Sequence, residues 1–235
     1  TLSDGNFRWA IADLTAYNPT VLSDSVKQAC VDYIATNASS ASSTGDLAGY
    51  IIMLRALGYD AAKIVKDSSG TVFDAVAEMN GRIALTTSIY TTPYMLIALE
   101  QYGSAYSAQA GALVESILDA QLAGGGWNGF GADMDADSTA PVLLALAPYY
   151  PANADVKAAV DKALTLISGM QGASGAIISS WSGAPDPSST GLMVAALSAL
   201  GKNPASYTKN GQSLLDGLLL LYHNADDLFG SGSNS

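Results

Sequence analysis

Three aspartates stand at alternate positions in the stretch 124–140, GGGWNGFGADMDADSTA: Asp133, Asp135 and Asp137. Carboxylates so spaced can do three kinds of work. They can ligate a hard cation such as calcium, supply a carboxylic acid for proton donation, or accept backbone N–H groups where a helix starts. An EF-hand loop needs Gly at its sixth place and Glu at its twelfth. Counted from Asp133, those places hold Ser138 and Leu144, so that match fails and only a looser calcium site on Asp133, Asp135 and Asp137 is left. As a helix start the acids are simpler to explain, because negative charge near a helix N-terminus gains about 0.3–1 kcal/mol from the dipole. Asp137 or Ser138 would then be the cap, leaving the other aspartates unexplained.

Most other chemistries are poorly furnished. The one histidine, His223, and the one cysteine, Cys30, lie toward opposite ends of the chain. Cys30 shares an apolar stripe with Val26, Tyr33 and Ile34, as a buried thiol would, and no intrachain disulfide is available. No Ser–His–Asp arrangement presents itself. GGGWNGFG follows a helical pattern rather than a strand, so it is not a dinucleotide fingerprint. The net charge is −11 and the basic residues are scattered singly, which argues against nucleic acid and anionic membrane surfaces as partners. No apolar run approaches the ~20 residues of a membrane span.

The elements that must position these residues repeat along the chain. Segments 47–58 (LAGYIIMLRALG), 92–103 (TPYMLIALEQYG), 139–150 (TAPVLLALAPYY) and 190–201 (TGLMVAALSALG) share one shape and recur about every 48 residues. They are apolar nearly all round and are expected to be buried helices. Three end in Gly, the residue expected just past a helix end. Asp46, Thr91, Ser138 and Ser189 precede them as expected N-caps, with Pro93 and Pro141 in the first turn. Segment 7–17 has the same inner character. Amphipathic helices are expected at 25–36, 107–121, 155–170 and 208–222, with a weaker one at 72–79. The expected fold is therefore all-α, about five helical hairpins in one domain over 1–229, with 230–235 (GSGSNS) a linker-like tail leading to further domains.

Two further segments carry a family likeness. Ile117-Leu118-Asp119-Ala120-Gln121 followed by Gly125-Gly126-Trp127 resembles the Gln-Trp motif of the squalene cyclase and prenyltransferase repeat superfamily. Leu166-Ile167-Ser168-Gly169-Met170-Gln171 followed by Gly175-Ala176-Ile177 resembles a degraded second copy, and Asp226-Asp227-Leu228-Phe229 a more degraded third. The resemblance implies an α/α toroid, closed or open. Within that superfamily, Phe7-Arg8-Trp9-Ala10-Ile11, the helix end Ala145-Leu146-Ala147-Pro148-Tyr149-Tyr150 and Lys209-Asn210-Gly211-Gln212-Ser213-Leu214-Leu215-Asp216 are most similar to the repeat domain of secreted or surface-anchored Gram-positive bacterial proteins. Such domains resemble the helical half of cobalamin carriers. The resemblance thus implies an extracellular or cell-surface location, and a cobalamin-like ligand or another hydrophobic small molecule.

It also implies a catalytic alternative. Cyclases of the superfamily carry Asp-x-Asp-Asp-Thr-Ala before an inner helix, with the central Asp held protonated in a dry cavity. Anchored on Thr139-Ala140, Asp135 matches the first position and Asp137 the proton donor, but Ser138 replaces the last Asp. Only 8% of residues are aromatic, a thin lining for carbocations. A zinc prenyltransferase site would need Asp, Cys and His ligands that this chain does not group in sequence, and QACVDY around Cys30 lacks the Cys-Gly-Glu-Gln pattern of a thioester site. The remaining readings are a structural or adhesion spacer and a non-catalytic binding module. For the module, loops before the inner helices would line a rim with Trp127, Phe130, Asp133, Asp135, Trp181, Asp186, Tyr90 and Tyr94. Loop 172–188, long and rich in Gly, Ser and Pro, has the composition of a flap.

Overall fold

The computed structural model describes residues 7–18, 20–85, 88–223 and 228–229. The described chain is mostly helical, with a few two-residue strands. It divides into two compact units. The first comprises Thr1–Thr87 and Tyr94–Leu113, the second Ser88–Pro93 and Val114–Ser235. The third Gln-Trp-like copy at 226–227 and the tail 230–235 lie outside the described residues.

In the first unit, α1 (Phe7–Tyr17) packs against α3 (Thr44–Ala56), and α3 against α4 (Ala75–Asn80). The α3 helix buries residues on every side, including Leu47, Ile51, Met53 and Leu54, as its apolar sequence requires. Arg8 reaches from α1 to Asp46 at 2.9 Å. The amphipathic α2 (Asp24–Asn37) buries Cys30, Ile34 and Ala35. The region expected to form a helix over 72–79 is shorter: Ile64–Val65 (β1) pairs antiparallel with Val72–Phe73 (β2), and α4 begins only at Ala75. β-branched residues on both sides of the Asp67–Gly70 turn favour the hairpin over the helix. The Tyr102 hydroxyl donates to Asp60 (3.1 Å) and accepts from the Ala61 N–H (3.0 Å). Burial, and then the Asp60 carboxylate, push that phenol up to about 12.

α5 (Thr92–Glu100) and α6 (Ser107–Asp119) follow in sequence, the former buried nearly all round and the latter along one face. In the second unit, α7 (Ala136–Leu146) packs against α10 (Pro187–Ala199), α7 against α8 (Ala154–Leu164), and α10 against α11 (Leu214–Leu220). Inner helices α7 and α10 are thus neighbours, each with an amphipathic helix after it. The outer segment expected at 155–170 breaks into α8 and the short α9 (Ile167–Met170). The segment expected as helix from 208 opens as a hairpin, Thr208–Lys209 (β3) with Gln212–Ser213 (β4), because Asn210-Gly211 is a hairpin turn with both residues at positive φ. Ser213 then caps α11 in a reciprocal box with Asp216. Tyr222–His223 (β5) pairs with Leu228–Phe229 (β6).

Two helix ends fall where the sequence puts them, while α5 stops at Glu100, before Gly103, and α7 at Leu146, before Tyr150. Gly58 and Gly201 sit at φ 86° and 69°. The next residues, Tyr59 and Lys202, donate back to Leu54 (2.8 Å) and Leu197 (2.9 Å), closing two Schellman turns. Helix starts are displaced. The caps are Ser43, Asp135 and Asp186, not Asp46, Ser138 and Ser189, which lie three residues inside. Consequently Pro141 is not in the first turn: it is the sixth residue of α7 and removes the N–H that would reach the Asp137 carbonyl.

Candidate functional site

The loops before α7 and α10 are two copies of one hydrogen-bond plan. In the first, Leu122 N–H donates to the Gly126 carbonyl (3.1 Å), Trp127 N–H to Thr139 Oγ1 (3.0 Å) and Asp135 N–H to the Trp127 carbonyl (3.2 Å). In the second, Gly172 donates to Ala176 (2.8 Å), Ile177 N–H to Thr190 Oγ1 (3.0 Å) and Asp186 N–H to the Ile177 carbonyl (2.9 Å). Ile177 therefore does the backbone work of Trp127 although it shares none of its chemistry. Each loop leaves an outer helix, crosses its own start, and delivers an aspartate to cap an inner helix. Segment 172–186 is stitched along its length by bridges Gln171–Ile177 and Ile178–Pro185 and by Ser179 N–H to Ala184, a pinned turn rather than a flap.

Buried threonines hold both loops. Thr139 and Thr190 are fully buried, and each accepts the only amide hydrogen of the residue it faces. Thr139→Val or Thr190→Val keeps the volume but strands a buried N–H. Each should cost about 1–3 kcal/mol, read as a lower urea midpoint with an unchanged slope; a loss below a few tenths would mean another acceptor steps in.

Gln121, at the end of the first outer segment, donates from Nε2 to the Ala159 carbonyl in α8 (2.8 Å), as expected of an amide that ties neighbouring helices. Gln171 instead bonds within its own turn, to Gly175 (2.7 Å), and to Tyr207 (3.1 Å). Trp127 is 0% exposed and its indole N–H donates to the Ile117 carbonyl (2.7 Å). It is a scaffold residue under the loop, not part of an open rim.

The aspartates separate by role. Asp135 is buried and bonds the Ser138 N–H (2.7 Å) and hydroxyl (3.0 Å). Asp186 repeats the arrangement with Ser189 (2.8 and 3.1 Å). Asp137, half-buried, accepts from the Ser189 hydroxyl at 2.6 Å. That serine thus joins two carboxylates from successive repeats, and a third stands two residues away. Asp133 is exposed. The three alternating aspartates do not converge on one point, and among the described residues no group of three or more His, Cys, Asp or Glu side chains is placed to hold a metal ion.

Burial pushes the Asp137 carboxyl above the usual carboxylate range; the Ser189 hydroxyl opposes the rise, and the charges of Asp135 and Asp186 add to it. A carboxyl whose folded pKa exceeds its unfolded value destabilises the fold once ionised. The penalty is complete above the folded pKa and gone below the unfolded one, ~3.9. Asp137→Asn keeps an acceptor for Ser189, so the variant should be more stable than the parent at pH 7. The advantage should shrink as pH falls through the folded pKa. Urea titrations of both proteins across a pH series check this, and a difference that does not vary with pH sinks it.

Above the caps the loop tips are aromatic. Phe130 and Trp181 are 76% and 72% exposed, with ring centroids 5.8 Å apart and nearly perpendicular. Tyr90 lies against Phe130 at 4.5 Å. Two details fix this cluster. Asn128 Oδ1 accepts the Phe130 and Gly131 N–H groups (2.7 and 2.8 Å) while its amide donates to the Asp133 carbonyl. Gly129 has no side chain where a Cβ would run into the Tyr90 ring, and its N–H meets Ser138 Oγ (3.2 Å). The Asn128 role escaped sequence reasoning, although Asn before Gly in a loop is the usual sign of a side chain folding back on its own backbone. Tyr94, expected on the same rim, belongs to the first unit, its ring 4.9 Å from Trp9.

The sequence gives no sign of a cleft in the first unit. A half-open cleft of about 400 Å³ in the first unit lies between α2, Leu54 and β1. Its polar groups already serve one another or the backbone: Gln28 donates to Asp32, and Asp60 holds the Ala62 N–H, the Tyr102 hydroxyl and Lys63. The tip cluster is the better candidate. No protein-family model, curated protein or solved structure matches the chain.

Proposed function

We propose that the chain is a non-catalytic, extracellular binding module of a bacterial surface or secreted protein, built as an α/α toroid or an open part of one. It would be flanked by other domains and take a hydrophobic or corrinoid-like small molecule on the aromatic tips of its helix-entry loops. The observation that carries this reading is the pair Phe130 and Trp181, two large rings from successive repeats that stay three-quarters exposed while touching each other. Large aromatics are ordinarily among the better-buried side chains, and contiguous exposed ones mark interaction sites. The alternation of buried and amphipathic helices supports the architecture, and the pinned loops give the tips a rigid support.

The test is a thermal-shift titration with cobalamin and cobinamide, on the parent and on Phe130→Ala/Trp181→Ala. A ligand that binds only the folded state raises the midpoint with its concentration. A saturable rise that disappears in the double variant, itself as stable as the parent, is the expected result. A rise that survives the double variant would remove the tips from the site. No rise with any hydrophobic ligand would favour the spacer reading.

One observation keeps an acid-catalysed cyclase as a second reading. Asp186 comes to the same serine as Asp137, so a neighbouring repeat contributes the carboxylate that Ser138 had appeared to remove. Incubation with linear polyprenes and their epoxides, followed by chromatography, tests it. Cyclic products absent from Asp137→Asn would support the enzyme, and none from the parent would end the reading.

A further inference from the structure

We infer that the group received by the Tyr90–Phe130–Trp181 cluster is an organic cation of the alkylated, quaternary-ammonium kind. The inference rests on the binding-module reading and specifies its ligand. Aromatic faces attract cations through the ring quadrupole, and alkylated ammonium groups are the ligands such clusters suit best. Here the rings are presented by segments 88–91, 124–135 and 172–186, which contain no Lys, Arg or His. The same loops and the first turn of α7 carry Asp133, Asp135, Asp137 and Asp186.

Elsewhere among the described residues, five rings take a cation from the protein itself. Arg8 lies over Trp9 and Tyr50, Arg55 over Tyr102, Lys66 over Phe73, and Lys157 and Lys202 over Tyr150. Among the described residues no such pair forms at Tyr90, Phe130 or Trp181. Phe130 and Trp181 offer exposed ring surface in a locally negative field, on a chain of net charge −11 that draws cations toward it.

The choice of cation follows from what the cluster offers, exposed ring surface and, among the described residues, no convergent set of carboxylate ligands. Asp135 and Asp186 are engaged by the N-termini of α7 and α10, and Asp137 by Ser189. Asp135 accepts through both oxygens and Asp137 and Asp186 through Oδ1, so all three are held in the helix-entry frame and contribute charge from fixed positions. A metal ion or a primary ammonium is strongly hydrated and needs direct oxygen ligands in exchange for its water. An alkylated ammonium is weakly hydrated, makes no N–H bonds, and requires only polarisable faces and a negative field.

The experiment is a titration of the chain with choline and with its neutral isostere 3,3-dimethylbutanol, followed by the indole N–H resonances, of which Trp181 is assigned by Trp181→Phe. Choline should shift the Trp181 resonance saturably and bind roughly tenfold more tightly than the isostere, the gain expected from two exposed ring contacts. Phe130→Ala should abolish that preference, and added salt should weaken choline binding alone. If the isostere binds as well as choline at Trp181, the cation inference falls while the binding site stands. The same holds if cobinamide shifts Trp181 and choline does not. If none of the three moves Trp181, both readings fall together.

Discussion

Trp127→Ala should lower the stability of the second unit by about 3–5 kcal/mol, the usual cost of emptying a buried aromatic site. The side chain is fully enclosed, and the cavity would lie between the end of α6 and the start of α7. The loss has two parts that can be separated. Trp127→Phe keeps most of the volume but removes the indole N–H, leaving the Ile117 carbonyl without that 2.7 Å donor; it should cost about 1–2 kcal/mol. Urea denaturation of the three proteins, followed by far-UV circular dichroism, gives both numbers. Should alanine cost less than 1 kcal/mol, the loop would be held by its threonine and aspartate alone, and the Gln-Gly-Trp unit would need another explanation. Because the loop carries Phe130, any ligand response should weaken in Trp127→Ala together with stability, whereas Phe130→Ala should affect the response only.

Gly217→Ala should be nearly as damaging, roughly 3 kcal/mol, the upper range for overpacking. A Cβ at Gly217 would fall inside the backbone of Gly175 and Ala176, and main chain cannot rotate aside as a side chain can. The contact is where α11 lies against the turn of the second loop copy, so relief must come by moving one repeat from the next. The expected signature is a lowered midpoint together with faster hydrogen exchange at the Ile177 amide, whose partner Thr190 depends on that turn. Leu218→Ala, next to it in the same half-buried helix, is a useful comparison, since it shortens a side chain instead of forcing two backbones apart. An alanine at 217 tolerated without loss would mean that α11 is not seated as described.

The helices could be read from the residues because burial on nearly all sides leaves no polar stripe, as in 47–58, 92–103 and 139–150, whereas 190–201 leaves Ala195, Ser198 and Ala199 exposed. Their Gly ends were equally plain. Their starts were not, since Asp-x-x-Ser-Thr permits a cap at either polar residue, and only the position of the first turn decides between them. That turn is polar in α7 and α10, so the apolar run began too late to mark it. The hairpins at 64–73 and 208–213 were missed because each takes only two residues per strand, too few for an alternating pattern to declare itself. At the site, Asp135 and Asp137 were visible from spacing, but the meeting of Asp137 with Ser189 joins residues 52 apart in sequence, and the contact of Phe130 with Trp181 is just as remote. Tyr90 lies before α5 and Tyr94 inside it.

The shared hydrogen-bond plan of the two loops separates frame from cargo. The backbone bonds made by Leu122, Trp127 and Asp135 have counterparts at Gly172, Ile177 and Asp186, with Thr190 in the place of Thr139, whereas 128–134 and 178–185 differ in length, sequence and turn type. The closing bonds tie the residues flanking each tip, and they have already accepted two unrelated inserts, one organised by an asparagine and the other by a short ladder. A protein engineer could treat each tip as an exchangeable cassette on a fixed mount, and the adjacent mounts, carried by packed helices, would display two grafted sequences side by side.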